Sequence, residues 1–234
     1  MSTVYTVNGK VLKNAANDKW LIKKETPVDP YNPLNLPPNT VRVRTSDGNV
    51  PTKDTYTTYE TATLVSGTND VYDVYKSGTD FSTLLYKATN VVEILGANTT
   101  GVTNMSSMFQ NCTALQSVPL FDTSNVTNIH FMFNSCTSLT TVPLFDTSNV
   151  NYMDEMFRYC SSLTTVPLFD TSKVTNMNKM FYSCTAVESG ALALYQQAST
   201  QTNPPTSHSQ TFYNCGSNTQ TGAAELAQIP SSWK

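Results

Sequence analysis

The hydrophobic and polar positions in the central part of this chain recur with a fixed 24-residue period. Blocks begin at Val102, Val126 and Val150, and a fourth block from Val174 keeps the pattern to residue 187. Their consensus is V-T-N-M-x-x-M-F-x-x-C-x-x-L-x-x-V-P-L-F-D-T-S-N. Periods of about 20 to 50 residues are typical of solenoids, in which each repeat buries its apolar face only against its neighbours. A degenerate block precedes these four, so we expect the array to span residues 78–189.

Within a block, apolar residues stand at relative positions 0, +3, +4 and +7, which is one face of a helix. In the first block these residues are Met105, Met108, Phe109 and Cys112. The spacing predicts a short helix over residues 104–112, with Thr103 as a good N-cap. The L-x-x-V-P-L run that follows resembles the short strand of leucine-rich repeats. The predicted fold is therefore an α/β solenoid with leucine-rich-repeat-like 24-residue coils, each a short strand plus a short helix.

Prolines and aspartates indicate the structure of the second half of each block. Pro119, Pro143 and Pro167 cannot donate to a ladder, so we expect very short strands paired mainly through the two residues before each proline. Asp side chains at the start of D-T-S segments can accept from the backbone N–H two residues on, which predicts a turn at each segment. These residues are Asp122, Asp146 and Asp170. A calcium ladder is the alternative interpretation, and the turn cap is favoured over it.

The copies "LFDTSNVTNI" and "MFNSCTSLTTVPLFDTS" resemble the BspA-type leucine-rich repeats of bacterial surface proteins. The resemblance covers residues 78–189. It implies a stacked helix-and-strand solenoid and a role in adhesion or protein binding at a cell surface. The chain differs from that pattern because residues 1–24 contain no apolar export signal and because further segments flank the array at both ends.

Residues 1–25 predict a β-meander, with a hairpin at Asn8–Gly9 and a third strand near residues 19–22. Residues 26–38 contain five prolines and predict a semi-rigid linker. The meander resembles short N-terminal segments in tail and fibre proteins of gut-type phages. Because a sheet this small is only marginally stable on its own, we expect it to act as an anchor that packs against other virion subunits. The packing residues would be Val4, Val7, Val11, Trp20 and Ile22.

The segments beside the array predict two caps. Residues 39–77 predict three strands, near 41–44, 62–65 and 71–75, which would form a β-rich N-terminal cap. Residues 190–234 predict a C-terminal cap with an insertion, including helices near 190–197 and 222–228, with Trp233 available to cover the end.

One face of the array is the predicted binding surface. Residues that alternate with Val142 and Leu144 would point to solvent, whereas burial is favoured for Phe121, Phe145 and Phe169. The surface would be uncharged and rather flat, and a merely solvated β-surface is the alternative. Its residues are Ser117, Pro119, Thr141, Pro143, Thr165 and Pro167.

Composition and motifs exclude several functions. Charged residues make up 13% of the chain and the net charge is −3, so nucleic-acid binding is disfavoured. No apolar run approaches the length of a membrane span. No catalytic motif occurs, so we predict a protein that is not an enzyme and has no cofactor or metal. The cysteines at 24-residue spacing predict buried free thiols rather than a metal site or disulfides.

The leading hypothesis is a phage virion protein of tail or fibre type that presents the array to a protein or glycan of a host or gut surface. Lysis would release such a protein without a signal peptide. The alternatives are a bacterial surface or secreted BspA-like adhesin, and a cytoplasmic protein-binding scaffold.

Overall fold

The computed structural model describes residues 32–234, Asp29 and the backbone of two short strands near the N-terminus. These strands, β1 (Thr6–Val7) and β2 (Lys10–Val11), pair antiparallel, which agrees with the predicted hairpin. The predicted third strand of the meander lies outside the described residues.

A four-stranded antiparallel sheet precedes the repeats. Its strands are β3 (Thr40–Thr45), β4 (Thr61–Leu64), β5 (Val71–Tyr75) and β6 (Val91–Asn98), in the order β4-β5-β3-β6. The three strands expected between residues 39 and 77 are confirmed. Strand β6 lies in the degenerate block predicted before Val102. That block repeats the geometry of the others, because Thr83 and Lys87 have positive φ values and Asp80 forms a parallel bridge with Asn104.

The predicted α/β solenoid, with a strand and a helix in every block, is wrong. From residue 99 to residue 190 the structure contains turns and isolated β-bridges but neither an α-helix nor a strand. Both α-helices of the described chain follow the repeats: α1 (Ala191–Thr200) and α2 (Gln220–Gln228). Within the described residues, regular strands are confined to β1–β2 and the four-stranded sheet.

Backbone conformation explains why residues 104–112 are not helical. Ser107 and Asn111 have φ values of 55° and 62°, which an α-helix cannot contain. The backbone hydrogen bonds of this segment alternate between partners inside the block and partners in the next block. The N–H of Met108 donates to Met105 O within the block (3.3 Å), and the N–H of Phe109 donates to Met132 O in the next block (2.9 Å). The segment is a succession of β-turns with a four-residue period. It buries the same side chains that a helix would have buried.

Among the first three blocks, the predicted strands are reduced to one backbone hydrogen bond between neighbours. Thr140 N–H donates to Gln116 O (3.3 Å), and Thr164 N–H donates to Thr140 O (3.0 Å). These donors lie three residues before a proline, not in the two positions that we expected. Because the strand is absent, its side-chain alternation also fails: Leu144, predicted to point inward, is 59% exposed.

Successive blocks nevertheless lie side by side, joined by hydrogen bonds between equivalent positions such as Thr127 N–H to Thr103 O (3.0 Å). We call residues 102–189 the repeat stack. Its core contains stacked phenylalanine rings and the four repeat cysteines, which are free and buried as predicted.

Both ends of the repeat stack are covered. Strand β6 adjoins the first block, where Ile94 N–H donates to Ser117 O (3.3 Å). At the other end, the predicted helices are present with somewhat different bounds, and a 3-10 turn (Ser231–Trp233) places the Trp233 ring 6.3 Å from that of Phe212. Trp233 is buried there, as its suggested covering role requires.

Candidate binding surfaces

The predicted binding residues lie in register across the repeat stack. Thr141 and Thr165 are exposed, whereas Ser117 and the three prolines are half-buried. The exposed leucines of this surface were not predicted: Leu144, which was expected to be internal, is 59% exposed, and Leu168 is 51% exposed. We call this surface the leucine–proline ridge. It comprises Pro119, Leu120, Pro143, Leu144, Pro167 and Leu168.

The predicted anchor cannot be located as a whole. Val7 and Val11 lie in the paired strands β1 and β2. Val4, Trp20 and Ile22 lie outside the described residues.

A second candidate surface is a shallow groove of about 280 Å³ that crosses three blocks. Parallel bridges join Asn128 to Tyr152 and Tyr152 to Asn176, so these three residues form one row across the repeat stack. His130 and Asp154 follow two residues after the first two members of the row. We call this feature the Tyr152 groove. Its lining residues are Asn128, His130, Tyr152, Asp154 and Asn176.

The groove combines an exposed aromatic ring with uncommitted polar groups. Tyr152 is 50% exposed. The Oδ1 atoms of Asn128 and Asn176 accept backbone N–H groups two residues on, at 3.1 and 3.0 Å. Their side-chain NH₂ groups and the Tyr152 hydroxyl have no hydrogen-bond partner within the described part of the chain. These groups are therefore available to a ligand.

An imidazole–carboxylate pair forms another part of the groove lining. His130 Nδ1 lies 3.5 Å from Asp154 Oδ2. The Phe131 ring packs edge-on against the imidazole at a centroid distance of 4.7 Å, which limits its movement. The Asp154 carboxylate is thus held where it can accept hydrogen bonds.

The differences between the repeat copies indicate this groove, but a consensus sequence hides them. The copies are almost identical over V-P-L-F-D-T-S, whereas they differ in the turn segment that precedes it. At the position of Tyr152 the other three blocks carry Asn104, Asn128 and Asn176. Comparing departures from the consensus, rather than the consensus, would have identified Tyr152.

Further departures form a tyrosine cluster near the end of the turn segments. The rings of Tyr182 and Tyr213 stack at 4.7 Å, and Tyr159 packs edge-on against Tyr182 at 5.6 Å. The Arg158 guanidinium lies 4.6 Å from the centroid of Tyr159 and donates to Glu155 Oε2 (2.7 Å). The cluster therefore packs mainly through contacts among its own members, although the buried Nε of Arg158 has no hydrogen-bond partner within the described part of the chain.

The aspartates of the D-T-S segments cap turns, as predicted. Asp122, Asp146 and Asp170 accept from backbone N–H groups two residues on, at 3.1, 3.0 and 2.8 Å. The bond from Ser172 N–H lowers the pKa of Asp170. Among the residues that the structure describes, no three His, Cys, Asp or Glu side chains are grouped closely enough to hold a metal ion.

Within the described residues, neither α-helix has the length and apolar composition of a membrane-spanning segment. Searches of curated proteins and of solved structures returned no match. One family, described as "Mycoplasma protein of unknown function, DUF285", matches residues 79–195 and again residues 103–221. The two matches are offset by one repeat period and together cover more than half of the chain. This match is consistent with the BspA-like character of the repeats, and the chain belongs to the DUF285 family.

Proposed function

We propose that the chain is a non-enzymatic structural or accessory protein of a phage particle, of tail or fibre type, that binds a host or gut-surface protein through the leucine–proline ridge. Residues 1–24 attach it to other virion subunits, and the repeat stack presents the ridge.

The exposure of Leu144 and Leu168 is the observation that carries this proposal. Leucine is among the residues most often buried, and contiguous exposed apolar surface commonly marks an interaction site. Hydrogen bonds between equivalent positions hold the blocks in register, so leucines one period apart become neighbours. The ridge and the flanking positions Thr141 and Thr165 carry no charge, which suits an apolar protein partner.

Antibody labelling of purified phage particles tests the location of the chain. Electron microscopy with antibody against residues 39–234 should show label on the tail or fibres. Label confined to bacterial envelopes, with none on particles, would contradict the virion assignment.

Deleting residues 1–24 tests the anchor. The truncated chain should keep its thermal melt almost unchanged while its incorporation into particles is lost, because the meander is expected to be a separate attachment module. The matched control is the double variant Leu144→Ser/Leu168→Ser, which should be incorporated normally but should lose binding to host cells. Normal incorporation of the truncated chain would reject the anchor.

A bacterial surface or secreted adhesin is the second candidate, and membership of DUF285 favours it because the family description names a bacterium. The ridge would then serve the same binding role on a cell. Fractionation separates the two candidates, since an adhesin remains with the cell envelope or the medium when no particles form.

A further inference from the structure

We infer that the Tyr152 groove binds a neutral sugar ring, as a single pyranose or as one unit of a glycan. This site shares no lining residue with the leucine–proline ridge. The inference holds whether the chain belongs to a virion or to a cell surface.

The row of side chains has dimensions that suit one sugar ring. Parallel bridges place Asn128 and Asn176 on either side of Tyr152, and strands in parallel register lie about 4.8 Å apart. A pyranose stacked on the Tyr152 ring would therefore place its hydroxyl groups near an amide on each side. Stacking removes apolar C–H surface of the sugar from water against an aromatic ring that is already half exposed.

The polar groups of the groove complement sugar hydroxyls, which both donate and accept hydrogen bonds. The NH₂ groups of Asn128 and Asn176 supply donors, and the Asp154 carboxylate supplies an acceptor. The negative charge of the Asp154 carboxylate repels an anionic ligand. The Arg158 guanidinium, which is not part of the lining, is paired with Glu155. The amide donors, the carboxylate acceptor and the aromatic ring together match a neutral polyhydroxyl ligand.

The presence of tyrosine at this position has a structural cost, which is a further sign of a ligand site. In other blocks an asparagine here accepts the backbone N–H two residues on, as Asn104 does from Ser106 (3.0 Å). Tyrosine cannot make that bond, so the third block gives up a turn cap and exposes an aromatic ring instead. Local departures from structural consistency are expected at functional sites.

Saturation-transfer NMR of the full chain with methyl glycosides tests the site. The probes are the methyl pyranosides of glucose, galactose, mannose and N-acetylglucosamine, measured singly. At least one should receive saturation, mainly at ring protons. Tyr152→Phe should retain binding, because the stacking ring remains.

The decisive variant is Tyr152→Asn, which restores the residue of the other blocks. It should weaken glycoside binding at least about tenfold, corresponding to one aromatic contact, while the melting temperature stays equal or rises. The matched control is Tyr159→Ala, an exposed tyrosine outside the groove, which should bind as the unmodified chain does.

Three results would overturn the inference. They are an absence of saturation transfer to all four glycosides, unchanged binding by Tyr152→Asn, and an equal loss of binding in Tyr159→Ala.

Discussion

At the scale of single residues, the repeat cysteines act as hydrogen-bond donors inside the core. The thiol of Cys112 donates to Leu85 O at 3.0 Å, and that of Cys136 donates to Phe109 O at 3.1 Å. Burial raises the pKa of Cys112 from 9.0 to about 12. Burial, with the neighbouring thiols of the column, also raises the pKa of Cys136 well above its usual value. The protonated thiol is therefore the form that the fold requires.

The folded chain should lose stability as pH rises from about 9 to about 12. In this window the Cys112 thiol ionises in the unfolded chain but stays protonated in the folded chain, so the unfolded state binds fewer protons. Cys112→Ala should make the decline in the free energy of unfolding shallower by about 1 kcal/mol per pH unit. Urea unfolding at several pH values measures this slope.

The exposed neighbour Thr113 supplies the control, because Thr113→Ala removes no ionising group. Its slope should equal that of the unmodified chain. An unchanged slope in Cys112→Ala would show that the thiol does not titrate as its burial implies.

At the scale of elements, the turn segments adopt a conformation that their residues do not favour. Each contains two non-glycine residues with positive φ, such as Phe131 and Ser135 at 56° and 61°. That region costs about 1–2 kcal/mol for a residue with a Cβ atom. The cost is offset because these turns let backbone N–H groups donate to the next block and let apolar side chains enter the core.

Ser107→Gly should stabilise the chain by about 0.5–1 kcal/mol, because glycine accepts the φ of 55° without steric cost. Ser138→Gly is the matched control, since Ser138 is a half-buried turn residue with an ordinary φ. Ser138→Gly should lower the free energy of unfolding by about 0.5–1 kcal/mol, because glycine raises the conformational entropy of the unfolded chain. Thermal unfolding of both variants measures the difference, and equal destabilisation would mean that the turn is not strained.

At the scale of the whole molecule, phenylalanine rings connect the blocks. One column of stacked rings runs from Phe109 through Phe133 and Phe157, with centroids 5.4 and 5.5 Å apart. It continues through Phe181 to Phe212, against which Trp233 packs. Removing a ring from the middle takes away one stacking partner from a ring in each neighbouring block.

Phe133→Ala should lower the free energy of unfolding by about 3–5 kcal/mol, because it leaves a cavity in this column. Tyr182→Ala is the comparison, since Tyr182 is half-buried on the outer surface and stacks mainly on Tyr213. It should cost about 1 kcal/mol. Denaturant unfolding compares the two, and equal costs would contradict the division into inner and outer faces.

Side-chain placement could largely be predicted from the sequence, because burial follows directly from periodic apolar residues. The pattern that begins at Met105 and ends at Cys112 identified the internal side chains, and the D-T-S pattern identified the turn caps. Strands near residues 41–44 and 71–75 followed from their β-branched residues. Each of these features depends on residues close together in the chain.

The backbone between those side chains was decided only by the tertiary structure. Apolar residues at positions 0, +3, +4 and +7 fit a helix and fit successive turns equally well. The hydrogen bonds that favour the turns join one block to the next, such as the bond from Phe109 N–H to Met132 O. For the same reason the Tyr152 groove could not be predicted from one block, since it exists only where three blocks place Asn128, Tyr152 and Asn176 in one row. Local sequence determined which side chains of the turn segments are buried, and contacts between distant residues determined the backbone conformation that buries them and the exposure of Leu144.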